Sequence, residues 1–128
     1  MAEAKKTIFV VDDDVLVRGM LDRSLRKAGF DVHLISSGRD ALNQLQASQP
    51  DLVLLDIDMP ELNGLETLRL IRSNPATRRL PVILLTGVVP ETDQIIHILD
   101  LDPSDFITKI TSPKEIVARV NWVMRRCE

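Results

Sequence analysis

Short apolar runs alternate with longer amphipathic stretches along the whole chain. The runs fall at residues 7–11, 31–35, 51–55, 81–86 and 104–108, and three of them carry Ile8-Phe9-Val10-Val11, Leu52-Val53-Leu54-Leu55 and Val82-Ile83-Leu84-Leu85. Unbroken apolar character, in place of strict alternation, predicts strands covered on both faces. Burial of that kind belongs to a parallel sheet with helices above and below it.

The stretches between the runs predict five helices. Leu16, Met20, Leu21, Leu25 and Ala28 recur at helical spacing, and Gly29 stops the first helix. Ala41, Leu42 and Leu45 mark a second, with Gly38 at its entry and Pro50 beyond its end; Leu65, Leu68 and Ile71 mark a third. Ile95, Ile96, Ile98 and Leu99 mark an unusually apolar fourth helix, with Pro90 near its start. The fifth opens on Ser112-Pro113-Lys114-Glu115, which reads as a capping box with proline at the first helical position. Arg125 and Arg126 in its last turn suit the negative end of the helix dipole.

Five successive βα units with right-handed crossovers leave few topologies. The expected fold is α/β: a flavodoxin-like, doubly wound, five-stranded parallel sheet in the order 2-1-3-4-5, with five helices. Ligands of such sheets bind beyond the carboxyl ends of the strands, where the winding reverses. Here that point lies between strands one and three, which brings Asp12, Asp13 and Asp56 to one place.

At 128 residues the chain is expected to be a single domain, 1–128, with 1–6 as a flexible N-terminal tail. Its composition, 45% hydrophobic and 27% charged, excludes a disordered polypeptide. A net charge of -3 gives no global basic field toward nucleic acid or anionic membrane, and neither contact is expected of this domain. One cysteine, Cys127, forbids an intrachain disulfide and reads as a free surface thiol. With no apolar signal core at the start and no membrane-length run, the expected setting is the cytoplasm.

The polar residues at the strand ends carry the candidate chemistry. Strand one runs into Asp12-Asp13-Asp14, strand three into Asp56-Ile57-Asp58-Met59-Pro60, strand four into Thr86-Gly87, and strand five into Lys109. At an effective dielectric near ~20, two carboxylates ~4 Å apart repel by about 4 kcal/mol. Protonation or a cation relieves this, and a hard divalent ion such as Mg²⁺, with Mn²⁺ as a substitute, suits carboxylate, carbonyl and water ligands. Asp13 and Asp56 can coordinate directly, Asp12 through a water, and the Asp58 backbone carbonyl can add a further oxygen. Asp56 then has an oxygen free to attack phosphorus and form an aspartyl phosphate. Lys109 and Thr86 offer a charge and a hydroxyl to the phosphoryl oxygens, and Gly87 permits close approach of backbone.

Each residue also has a plainer reading. Asp13 or Asp14 can simply cap the first helix. Asp56 can be a turn residue ahead of Pro60. Thr86 can satisfy backbone at a strand end, and Lys109 can be a solvated surface lysine. His33 and His97 lack metal-ligand spacing and read as structural or surface residues.

Taken together, Val10-Val11-Asp12-Asp13-Asp14, Leu54-Leu55-Asp56-Ile57-Asp58-Met59-Pro60-Glu61-Leu62-Asn63-Gly64, Leu84-Leu85-Thr86-Gly87 and Asp105-Phe106-Ile107-Thr108-Lys109 resemble the receiver domain of two-component response regulators over nearly the whole chain. The resemblance implies that Asp56 is the phosphoacceptor, that Asp12 and Asp13 form the acidic metal pocket, and that Lys109 contacts the phosphoryl group. It makes Thr86 the switch hydroxyl and Phe106 the switch aromatic, although Phe106 alone reads as an ordinary core ring. The implied phosphodonor is a phosphohistidine on a sensor histidine kinase or phosphotransfer protein. Such a domain transfers a phosphoryl group to itself and loses it slowly, without turning over a separate substrate.

Two departures from the family pattern stand out. Ile110 follows Lys109 where the family usually has proline after a cis bond. A non-proline cis peptide costs roughly 2.5–4 kcal/mol, so a trans bond and a displaced Lys109 loop are expected. Leu101-Asp102-Pro103 replaces the small, glycine-containing turn before strand five. The last helix, 112–126, resembles that of receivers from winged-helix transcription factors, which implies a homodimer through helix 4, strand 5 and helix 5. Matching positions suggest an ion pair of Asp105 with Arg126 across it, while Ile95 stands where a basic partner is expected. Trp122 is either an interface anchor or a partly covered helix residue.

Two other functions compete. One is a receiver-like interaction module that is not phosphorylated, motivated by Ile110. The other is a haloacid-dehalogenase-like phosphatase, since Asp56-Ile57-Asp58 also resembles its Asp-x-Asp signature; that family, however, carries its metal-binding acids after the motif, and here they come first.

Overall fold

The computed structural model describes residues 5–127. Five strands and five helices alternate: β1 (Thr7–Val11), α1 (Val15–Lys27), β2 (Asp31–Ile35), α2 (Gly38–Ala47), β3 (Leu52–Asp56), α3 (Gly64–Ser73), β4 (Val82–Thr86), α4 (Thr92–Asp100), β5 (Asp105–Thr108) and α5 (Pro113–Arg126). The sheet is parallel throughout, in the order β2-β1-β3-β4-β5, as expected.

The apolar runs are continuous because each strand feeds two cores. In β1, Ile8 and Val10 face a layer formed by Leu21 and Leu25 of α1 and Ile116, Val120 and Val123 of α5. Phe9 and Val11 face the other layer, formed by Ala41 and Leu45 of α2, Leu68 and Ile71 of α3, and Ile98 of α4. Every residue of β3 and β4 is buried. At roughly 1.5–3 kcal/mol for each large apolar side chain removed from water, these central strands dominate the stability of the fold.

The boundaries of three strands differ slightly from expectation. β3 starts and ends one residue later, so Asp56 is the last residue of the strand and not the first beyond it. β4 starts at Val82 and β5 at Asp105, each one residue late. Of the expected tail, 1–4 lie outside the described residues, whereas Lys6 is tied to the sheet: its carbonyl accepts from Asp31 N–H at 2.9 Å.

The helix readings need three corrections. Leu16 is 83% exposed, because it falls in the first turn of α1, which projects past the sheet. In α4 only Ile98 is fully buried; Ile96 and Leu99 lie open to solvent, so most of its apolar character is not core. The expected capping box of α5 is half formed. Ser112 Oγ accepts from Glu115 N–H at 3.2 Å, but the Glu115 carboxylate turns to Arg119 Nε at 3.0 Å. The reciprocal box stands instead at α3, where Asn63 Oδ1 accepts from Glu66 N–H and Glu66 Oε1 from Asn63 N–H.

Candidate functional site

The carboxyl ends of β1, β3, β4 and β5 converge, as the doubly wound topology requires. Asp12 leaves β1 with its N–H held by Ile35 O at 3.0 Å, and Asp56 closes β3; both are 0% exposed. Asp13 is exposed beside them. One carboxylate oxygen from each of Asp12, Asp13 and Asp56 lies within 4.8 Å of the others. Asp14 takes the plainer role foreseen for this run, as the N-cap of α1: its Oδ1 accepts from Leu16 N–H at 2.9 Å and Val17 N–H at 3.3 Å.

The two buried acids are held in the same way. Asp12 Oδ1 accepts from Asp14 N–H at 2.9 Å, and Asp56 Oδ1 from Asp58 N–H at 3.1 Å. Each Oδ2 faces Lys109, whose Nζ lies 3.0 Å from Asp12 and 3.2 Å from Asp56. Both Oδ2 atoms are buried and have the single Lys109 ammonium as their charged partner, so two carboxylates share one cation.

Electrostatics agree with the geometry. Burial, and then the charge of Asp12, push the Asp56 carboxyl up to about 6, against the opposing pull of Lys109 and the Asp58 N–H. Burial also works against the Lys109 ammonium, but the two carboxylates outweigh it and its pKa rises. Lys109 therefore stays protonated and holds together two acids that repel one another.

Lys109 reaches this position on a chain with no cis peptide bond among the described residues. The expected trans link to Ile110 is present, yet the expected displacement from the site is not. Lys109 N–H donates to Thr86 O at 2.7 Å, which fixes the loop to β4 before the chain turns outward at Ile110, which is 84% exposed.

Thr86 is buried at the end of β4, and its hydroxyl is engaged by the loop that follows. Oγ1 donates to Val88 O at 2.9 Å and accepts weakly from Val88 N–H at 3.4 Å. Phe106 pairs in register with Leu84, and Thr108 with Thr86, so Thr86 and Phe106 share the sheet face covered by α4. A cavity of about 410 Å³ opens beside Thr86, between Ile57, Leu65 and Ile98.

Two contributors escaped the sequence reading. Arg18 Nη1 donates to Asp12 O at 3.0 Å and braces the acidic loop from the first turns of α1. Its spacing from the Asp14 cap, one helical turn, was the available signal. Gly64 is the other: a Cβ there would collide with Asp56 O and Ile57 Cα, so only glycine lets α3 start against the end of β3.

A doubly wound sheet with three acids and a lysine at its switch point has the architecture of a flavodoxin-like α/β domain. The profile described as "Response regulator receiver domain" matches residues 8–121, and the chain belongs to that family. It is 36% identical over 123 residues to the alkaline phosphatase synthesis transcriptional regulatory protein PhoP of Bacillus subtilis, covering 96% of this chain and 50% of that protein. A crystal structure of a Chloroflexus aurantiacus protein taken to be a response regulator superposes with a TM-score of 0.89 at 32% identity, over 96% of this chain and 100% of the other. The Mn²⁺-bound form of response regulator Rcp1 superposes with a TM-score of 0.78 at 26% identity, over 92% and 91%. The chain spans about half the length of the curated relatives it matches. The phosphatase alternative falls with this membership. No described helix is long and apolar enough to cross a membrane.

Proposed function

We infer that this receiver domain, taken as one unit over 1–128, accepts a phosphoryl group on Asp56 from a phosphohistidine of a sensor histidine kinase or phosphotransfer protein in the cytoplasm. The observation that carries this reading is the cluster of Asp12, Asp13 and Asp56 carboxylate oxygens within 4.8 Å of one another, with Lys109 Nζ 3.0 Å from Asp12 and 3.2 Å from Asp56.

The donor set is all carboxylate oxygen and fits a hard divalent ion, Mg²⁺ or Mn²⁺. Asp12, Asp13 and Asp56 would hold it, with the Asp58 backbone carbonyl as a further ligand. When bound, such an ion neutralises the acids and the charge on the transferring group. Asp56 attacks phosphorus with a carboxylate oxygen. The P–N bond to the donor imidazole breaks, its electron pair stays on nitrogen, and the nitrogen leaves as neutral imidazole or takes a proton from solvent. Lys109 offsets the negative charge of the phosphoryl oxygens. The Asp58 N–H and the Arg18 brace keep Asp56 and Asp12 from reorienting as charge moves.

The added group has oxygens within reach of the end of β4, which favours rotation of the Thr86 hydroxyl from Val88 O toward them. Phe106, on the same face, then follows into space beside α4. This is a population shift biased by charge at one end of the sheet. The face of α4, β5 and α5, with Ile96, Leu99 and Trp122 exposed, is the surface that would respond and could pair two copies. Within one chain Asp105 is engaged by Arg119 at 3.2 Å, and Arg126 lies over Trp122, so an Asp105–Arg126 pair between copies requires both to exchange partners.

Incubation with a small phosphodonor and Mg²⁺, read by intact mass, tests this. The expected result is one phosphoryl adduct, absent without divalent ion and absent in Asp56→Asn. No adduct on the wild-type chain would favour the non-phosphorylated interaction module instead.

A further inference from the structure

The opposite end of the sheet carries the opposite charge. Leu80 and Ser104 precede β4 and β5, so this end is separated from Asp56 by the length of a strand, ~16 Å. Four arginines from three parts of the chain meet there around a cleft of about 470 Å³: Arg72 from the end of α3, Arg78 and Arg79 from the connection to β4, and Arg126 from the end of α5. Among the described residues Asp102 is the only acid in its lining. On a chain whose net charge is -3, such a concentration of one sign calls for an account.

Part of that account is structural. Arg72 Nε donates to Asp102 O at 2.9 Å, and its Nη1 to Leu80 O at 2.6 Å and Arg78 O at 3.3 Å. Arg126 Nη2 donates to Ser104 O at 2.5 Å. These bonds satisfy carbonyls at helix and loop ends, where positive charge is favoured. They account for neither Arg78 nor Arg79. Among the described residues those two guanidinium groups are exposed, donate no hydrogen bond and face no carboxylate within ion-pair distance. Meanwhile the bonds of Arg72 and Arg126 fix two of the four groups in place, which lowers the entropy lost when a ligand is bound.

We propose that this cleft binds a compact polyphosphate, the chemistry shared by inorganic pyrophosphate and the phosphate tail of a nucleotide, through Arg72, Arg78, Arg79 and Arg126. Guanidinium groups match phosphate oxygens with paired, charge-assisted donors. The cleft is open and large enough to admit linked phosphoryl groups. Among the described residues its walls offer Pro103 and no aromatic ring to stack a nucleobase. Duplex nucleic acid is the poorer fit, since it needs phosphate contacts spread along an extended basic stripe and this cluster is confined to one concavity. Burial lowers the Arg72 pKa from its ordinary value, with Asp102 opposing; an anion in the cleft would act in the same sense as Asp102.

The test is a titration of the full chain with inorganic pyrophosphate in Mg²⁺-free buffer at fixed ionic strength, followed by amide NMR and calorimetry. Saturable shifts are expected at residues 72, 78, 79, 102–104 and 126. The double variant Arg78→Gln, Arg79→Gln changes only exposed side chains and should weaken binding by about tenfold or more. Asp102→Asn keeps a residue that tolerates the left-handed φ of 58° while removing the competing acid, and should tighten it several-fold. Comparable affinity for pyrophosphate and a nucleoside diphosphate identifies the linked phosphates as the recognised chemistry and supports the site; a nucleotide bound more than about tenfold tighter would require nucleoside contacts that these walls do not offer, and would overturn it. Asp56→Asn should leave the affinity unchanged, which separates this proposal from the phosphoryl-acceptor reading. No saturation by ~10 mM pyrophosphate, equal binding of orthophosphate with no effect of the double variant, or displacement of pyrophosphate by duplex DNA at lower concentration would each overturn it.

Discussion

Asp12 and Asp56, at the carboxyl ends of neighbouring strands, hold matching postures: one oxygen of each accepts from the N–H two residues ahead, and the other faces the Lys109 ammonium, at 3.0 and 3.2 Å. A divalent ion held by these acids would compete with the ammonium for the same lone pairs, and a phosphoryl oxygen would compete with the acids for the ammonium protons. The pair is thus constrained in angle but incompletely compensated in charge, which is the condition for a site that stores repulsion until a cation or a reaction relieves it.

That condition has a sign that can be measured. The Asp56 carboxyl is raised from 3.8 to about 6, chiefly by burial. Between those values the folded chain binds more protons than the unfolded one, so the ionised carboxylate reduces stability as pH rises through this window, and the full cost is present above about 6. Asp56→Asn should therefore stabilise the fold by ~1–3 kcal/mol at pH ~8. The gain should shrink toward pH ~4, where the native carboxyl is already neutral. Urea unfolding of both chains at the two pH values checks this; a variant less stable than wild type at the higher pH would show that the Lys109 pairing outweighs burial.

Gly64 should prove as sensitive as any residue that touches the acids directly. Gly64→Ala places a methyl group against Asp56 O and the Ile57 backbone, which have no side-chain freedom to yield. A loss of about 1–3 kcal/mol is expected, the range of overpacked sites, together with a reduced yield of phosphorylated protein. Denaturant midpoint and intact mass measure the two effects; an unchanged midpoint would mean that α3 can slide from the end of β3 without cost.

The first helix separates periodicity from burial. Leu16 and Leu21 both fit the apolar spacing, but Leu16 is 83% exposed and Leu21 is fully enclosed between β1 and α5. Leu21→Ala should cost about 2–5 kcal/mol, and Leu16→Ala no more than ~0.5 kcal/mol, by chemical denaturation. Comparable losses would place Leu16 in contacts that the fold does not contain.

Those two leucines also show how far the sequence could be read. Strand runs such as Leu52-Val53-Leu54-Leu55 are legible because burial on both faces leaves no polar position; the connections leave few sheet orders, and 2-1-3-4-5 follows the flavodoxin-like precedent. Asp12, Asp13, Asp56, Thr86 and Lys109 were legible because each interrupts an apolar run at a strand end. Which of the acids faces solvent and which is enclosed was not, since that depends on the sheet twist and on the loop after β1. The role of Gly64 was hidden because a close approach between α3 and β3 leaves no periodic trace. Arg18 looked like any polar residue of an amphipathic helix. In the Lys109 loop the sequence misled: a missing proline suggested displacement, whereas the bond from Lys109 N–H to Thr86 O holds the lysine on the acids without it.

Reductive trapping with borohydride, followed by peptide sequencing, converts an acyl phosphate at an aspartate into a stable mark and tests the central claim most directly. After treatment with a phosphodonor and Mg²⁺, the mark should lie on Asp56 alone, and should vanish when the divalent ion is chelated. A mark on Asp12, Asp13 or Asp58, or labelling of Asp56 that survives removal of the ion, would contradict an acceptor completed by its acidic neighbours.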